Sequence, residues 1–92
     1  MLYVRLCLDK PGTEQLRNQH RSAHRGYLAS GVAELVQAGP LMASDDGKNI
    51  GSFMVIEADS LPAVQRFHDD DPFTQAGLFE EVIIHRWDKH IG

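Results

Sequence analysis

His20 and His24 stand four residues apart in a stretch that otherwise reads as helix, and they are the first residues here whose type and spacing could do chemistry. Imidazole has an unperturbed pKa of about 6.5, so either ring can accept and return a proton near neutral pH. The same spacing serves helical metal ligands, and His68 with Asp69, Asp70 and Asp71 could add donors. The intervening Arg21-Ser22-Ala23 lacks the glutamate of a His-Glu-x-x-His site, so no metal is expected. Arg21 can attract an anion or simply face water. Cys7, the single cysteine, reads as a small buried hydrophobe, because nothing near it in sequence would make a thiolate. His85 and His90 have no recognisable partners.

The helix that must position these histidines spans 13–30. At about 100° per residue, Leu16, Ala23, Tyr27 and Leu28 gather on one side with His24 near the middle, and Arg17 intrudes on the stripe. Thr13 is the expected cap and Gly31 the expected stop. A buried imidazole needs partners for its ring nitrogens, so the question is what faces His24.

Upstream lies a strand with Leu2, Val4, Leu6 and Leu8 on one face and Tyr3, Arg5, Cys7 and Asp9 on the other. A second strand is expected over 32–38, ending at Gly39-Pro40, and a loop with the turn pair Asp46-Gly47 comes next over 42–49. A third strand runs from about residue 50 to 57. Ser60 caps a second helix with Pro62 in its first turn, 72–77 makes a short helical turn, and 81–87 is the last strand. The order β-α-β-β-α-β predicts an α+β, ferredoxin-like fold, with a four-stranded antiparallel sheet and two helices on one face. Phe53 and Val55 alternate with Met54 and Ile56, and Val82 and Ile84 with Ile83 and Trp87, so neither sheet face reads as solvated. A second copy packed sheet against sheet is the economical cover, with Cys7 expected on that dimer face.

The 92 residues are read as one domain, 1–92, with 42% hydrophobic and 24% charged residues. A formal charge of −4 with scattered lysines and arginines argues against a nucleic-acid partner. No apolar run approaches membrane-spanning length and the N-terminus lacks the layout of a secretion signal, so no membrane partner and a cytoplasmic location are expected. No glycine-rich phosphate loop, Cys-x-x-Cys pair or nucleotide fingerprint is present, and no cofactor is expected.

Ala23-His24, Ala38-Gly39-Pro40-Leu41, Asp46-Gly47 with Gly51-Ser52, and Asp71-Pro72-Phe73 with Ala76-Gly77-Leu78-Phe79 together resemble the YCII-related (YciI-like) family, from the first strand to Trp87. The resemblance implies dimerisation, or a higher homo-oligomer, as an α+β barrel similar to muconolactone isomerases. It further implies a small-molecule pocket with a histidine–aspartate pair, matching His24 and Asp71, with Ser52 nearby. Pro40 and Phe73, within the matching motifs, join Ser52 and Arg21 as expected substrate contacts. A related branch of the family is associated with dehydrochlorination of chlorinated hydroxylated aromatics. Members often carry tyrosine at the position of Phe73 and proline at that of Arg86, so this chain lacks a phenolic donor and has a different pocket rim.

Such a pair has a chemistry of its own. A carboxylate on one imidazole nitrogen fixes the tautomer and stabilises the imidazolium, leaving the other nitrogen for a substrate. The expected function is cofactor-free proton transfer, elimination or isomerisation on a small organic molecule, of the lyase or isomerase type. The alternatives are a non-catalytic ligand-binding or regulatory module, a structural partner in a larger assembly, and a pair that only staples helix to loop.

Overall fold

Alternating side chains build the sheet, and its register decides what faces the helices. The computed structural model describes residues 1–92. Its elements are β1 (Leu2–Asp9), α1 (Glu14–Ala29), β2 (Glu34–Met42), β3 (Asn49–Glu57), α2 (Leu61–Asp70), α3 (Pro72–Gln75) and β4 (Phe79–Trp87). The strands form one antiparallel sheet in the order β2-β3-β1-β4, which makes the fold ferredoxin-like α+β as the element order implied. No helix is long and apolar enough to cross a membrane.

Residues opposite one another in an antiparallel pair share a face. Tyr3 lies opposite Ile56, Arg5 opposite Met54 and Cys7 opposite Ser52, and all six are buried. This is the helix-covered face. Tyr3, Met54 and Ile56 pack against Val64 and Phe67 of α2, with Tyr27 and Leu28 of α1 at the edge of the cluster. Cys7 therefore belongs under the helices, not on the dimer face expected for it. The thiol fills a fully buried slot beside the Arg5 guanidinium.

Three further local expectations are corrected. β2 starts at Glu34 and continues through Gly39-Pro40 to Met42. A proline is tolerated there because β2 is an edge strand, where a missing N–H need not interrupt a ladder. An irregularity between Leu35 and Gln37 also shifts the strand's faces, so that Leu35, Ala38 and Pro40 lie opposite the helix-facing Ile56, Met54 and Ser52. Thr13 makes no side-chain cap; its hydroxyl donates to the Lys10 carbonyl instead. Ala23 is exposed, whereas the intruding Arg17 is buried. The expected stop does hold: α1 ends before Gly31, whose φ of +80° suits glycine alone. Ser60 also caps α2, accepting from the Ala63 amide at 3.4 Å.

Candidate active site

Two local decisions of the chain create the site. The first is at Asp71, where Pro72 disfavours helical backbone in the residue before it. Asp71 takes extended angles (φ −62°, ψ 127°), so α2 stops and α3 begins in a new direction with Pro72 in its first turn. The Asp71 side chain turns back as the α3 cap, and its Oδ1 accepts the Phe73 amide at 2.9 Å. The second is along α1, where residues 17, 21, 24 and 28 recur at helical spacing and turn Arg17, Arg21, His24 and Leu28 toward one cavity.

His24 Nδ1 lies 2.8 Å from the same Asp71 Oδ1, and Arg5 Nη2 lies 2.9 Å from Oδ2. The Arg5 contact is a close ion pair that does not meet hydrogen-bond geometry. Asp71 is fully buried. Burial pushes its carboxyl up, yet the His24 hydrogen bond, the Arg5 charge and the Phe73 amide together outweigh that and hold it below the usual carboxylate range. An ionised carboxylate only accepts, so the proton of neutral His24 sits on Nδ1. Nε2 makes no hydrogen bond within the protein and is left for the cavity. The Phe73 ring stacks on the imidazole with centroids 4.0 Å apart and planes 14° from parallel, which fixes the ring's tilt as Asp71 fixes its rotation.

Arg5 is the residue whose role the sequence pattern did not reveal. It is completely buried, with Nε 3.1 Å from Cys7 Sγ and the guanidinium 5.5 Å and 5.3 Å from the ring centres of Phe67 and Phe79. Burial pushes the Cys7 thiol up despite that neighbouring charge, so the sulfur stays protonated and serves as packing. Arg17 forms a second buried pair. Its Nε and Nη2 reach the two Asp9 oxygens at 2.7 Å and 3.0 Å, and its guanidinium lies 4.8 Å from the Phe73 ring centre.

The cavity, about 170 Å³, opens between α1, β2, β3 and α3. A dry cavity of about 150 Å³ holds one benzene ring, so this one suits a single ring with few substituents. Of the residues singled out from sequence, His24, Ser52, Arg21, Pro40 and Phe73 all reach its wall, and Asp71 stands behind His24 without lining it. Arg17, Arg25, Asn49 and Met54 reach the wall as well, and were not anticipated there; His20 does not reach it. Ser52 is buried, and its Oγ has only the weak Cys7 thiol as a polar side-chain neighbour. Its neighbour Gly51 has a reason to be glycine: an added Cβ would sit 2.1 Å from the Cys7 carbonyl oxygen, inside the β1 backbone. The glycine lets β3 lie close to β1 and sets the depth at which Ser52 meets the cavity.

The sequence matches the YCII-related domain over residues 1–88. Protein YciI of Escherichia coli O6:H1 is 34% identical over 97% of this chain and 98% of its own length. Among solved structures, the 5-chloro-2-hydroxyhydroquinone dehydrochlorinase TftG of Burkholderia phenoliruptrix AC1100, determined in complex with 2,5-dihydroxybenzoquinone, is 36% identical. It superposes with a TM-score of 0.91 over 98% of this chain and 96% of its own. PA3566 of Pseudomonas aeruginosa, at 14% identity and a TM-score of 0.54 over 98% of this chain and 93% of its own, shares the fold.

Proposed function

The chain belongs to the YCII-related family, and we propose that its pocket carries out cofactor-free acid–base chemistry on a small, hydroxylated, ring-sized organic molecule. The observation that carries this reading is the hydrogen bond between His24 Nδ1 and the buried Asp71 carboxylate, which leaves Nε2 as a base at the cavity wall. In this reading Nε2 takes a proton from a ring hydroxyl or an acidic carbon. The imidazolium that forms is stabilised by Asp71, whose own charge is held by Arg5. The released electron pair moves into the ring. In an elimination it expels a leaving group with its bonding electrons, so the substrate loses HX overall and His24 passes its proton to solvent. In an isomerisation His24 returns the proton to a different carbon. Ser52 Oγ donates to the substrate oxygen on which charge develops. The likeness to a dehydrochlorinase solved with a dihydroxyquinone supports the substrate class.

A homodimer is part of the proposal. The sheet face away from the helices carries Leu2, Val4, Leu6, Phe53, Ile83 and Trp87, which the strand register places together. Ile83 and Trp87 are 38% and 37% exposed. A second copy would cover this apolar surface and close a barrel of two sheets.

The test is turnover of hydroxylated and halogenated aromatics and lactones by the parent, His24→Gln and Asp71→Asn. A lost acid–base group should lower turnover about 10²–10⁴-fold, and Asp71→Asn should act through the wrong tautomer. The two effects should be less than additive, since each residue works through the other. Equal per-folded-molecule activity in all three proteins would take the pair out of the chemistry and leave it as a staple between α1 and the α2–α3 junction; no turnover in any of them would leave a binding module.

A further inference from the structure

The cavity wall has a charge pattern that proton transfer alone does not require. Arg17, Arg21 and Arg25 all line it, and no aspartate or glutamate does, in a chain whose formal charge is −4. Arg17 is neutralised by Asp9, but Arg21 and Arg25 make no ion pair within the protein. Glu14, which shares the adjoining groove with Arg21, is engaged with Lys48 at 3.3 Å. The lining is also graded in depth. Arg25 is exposed and Arg21 half-buried, whereas His24 and Ser52 are 8% and 5% exposed. At the deep end the buried Ser52 hydroxyl has only the weak Cys7 thiol across the strand pair as a polar neighbour, which leaves hydrogen-bonding capacity that a ligand oxygen could use.

We infer that the ligand is an anion with oxygen at both ends of a single ring: a carboxylate, phenolate or enolate oxygen between Arg21 and Arg25 at the mouth, and a hydroxyl or carbonyl oxygen at Ser52 on the floor. This rests on the acid–base reading of the same pocket and specifies its substrate. Guanidinium groups without carboxylate partners, set at the rim of a low-dielectric cleft, raise the local concentration of anions and orient them by charge-assisted hydrogen bonds. With its anionic end fixed at the mouth, the ring is laid lengthwise, and the oxygen at its other end comes within reach of Ser52 and of His24 Nε2. Arg21 and Arg25 are one turn apart on α1 and can share one anionic group, so the inner residue should contribute more than the exposed one.

The test uses the intact protein and a matched pair of probes, 2,5-dihydroxybenzoquinone, which ionises in neutral solution, and its uncharged dimethyl ether. Calorimetric titration should show the ionised probe binding at least about tenfold tighter, as expected for charge-assisted contacts. Arg21→Met should weaken it about tenfold and Arg25→Met about threefold, with the ether unaffected, and raised salt should weaken the anion alone. Ser52→Ala should weaken both probes, because both keep an oxygen at the floor. Equal binding of the two probes, or full anion affinity in Arg21→Met and Arg25→Met, would overturn the inference. His24→Gln separates this from the catalytic reading: retained anion binding with lost turnover supports both. Arginine-dependent anion binding in a protein that turns over no substrate would sink catalysis and leave the anion site standing. Turnover indifferent to both arginines would do the reverse.

Discussion

Arg5→Met removes the one charge that meets Asp71 Oδ2 while keeping most of the volume and the unbranched shape of the side chain. Both partners of the pair are fully buried, so solvent screening offers no relief. Breaking a buried pair by deleting one partner costs about 3–5 kcal/mol, because the other charge is left uncompensated. Asp71 keeps its bonds to His24 and to the Phe73 amide, and the methionine packs well between Phe67 and Phe79, so the lower end, about 3 kcal/mol, is expected. Urea denaturation at pH 7 reads this directly, since midpoints move with stability at constant slope. Asp71→Asn should likewise be destabilising, by stranding the guanidinium. The double variant, in which neither charge of this buried pair remains, should recover part of the sum, with a coupling of about 1–3 kcal/mol. Activity supplies a second readout. With Arg5 gone, one of the contacts that hold the Asp71 carboxyl down is lost and the carboxyl rises, so turnover per folded molecule should fall away at a higher pH than in the parent. A single variant within about 0.5 kcal/mol of the parent, or two effects that simply add, would refute the claim that Arg5 holds Asp71 ionised.

Gly51→Ala should destabilise by about 1–3 kcal/mol, the range for overpacking, and should also shift Ser52 and lower affinity for pocket ligands; a denaturation curve with a binding titration checks both. Acid stability should fall in two stages. Burial holds the His68 imidazole below its ordinary 6.5, so its contribution is full above pH 6.5 and is lost as pH drops from there toward the folded value, a loss that His68→Gln should abolish. The folded Asp71 carboxyl lies below its ordinary 3.8, so its contribution persists down to that pH and is lost below it; Asp71→Asn should remove that second limb from an acid titration followed by circular dichroism. Sedimentation should give a dimer at micromolar concentration and a monomer for Leu6→Glu, whose carboxylate would enter the proposed sheet interface.

The strand and helix order was legible because apolar residues keep their period through 2–9 and 61–67, because 53–56 is apolar on both faces, and because glycine or proline stands at or near most junctions. The failures have local causes. β2 runs through Gly39-Pro40 because an edge strand forgives what an inner strand would not, and edge position is a property of the whole sheet. Arg17 looked like a flaw in the α1 stripe, yet it belongs there: Asp9 neutralises it from a strand eight residues earlier. Arg5 gave no sign of burial, since its partner Asp71 is brought to it only by the folding of the whole chain. Within the acidic run one cue was available. Of Asp69, Asp70 and Asp71, only the last precedes a proline, and that position forces the chain to turn and the carboxylate to cap α3. The arginines at the pocket were half-visible. Residues 17, 21, 24 and 28 share a helix face, but which face meets a cavity depends on the sheet beneath it.

The site also explains why a domain of this size has reason to associate. Only fifteen residues are buried, nine of them apolar, while Arg5, Arg17, His24, Ser52 and Asp71 take five of the remaining places. Two ion pairs among them have one or both partners deep in the fold, and such pairs give little or no net stabilisation over apolar residues of the same volume. A small domain, which buries a smaller fraction of its surface than a large one, has little core with which to offset them. The helix-facing side of the sheet thus gives its centre to chemistry, with Tyr3, Met54 and Ile56 left to carry the packing around Arg5. On the far side, Val4, Leu6, Phe53, Val55 and Ile83 form an apolar field, with His85 opposite Val4 on the edge strand β4 as a polar neighbour. Covering that field with a second copy would restore the stabilisation the pocket forgoes, and it would do so without touching the geometry of Arg5, Asp71 and His24. On this view dimerisation and catalysis divide the two faces of one sheet between them.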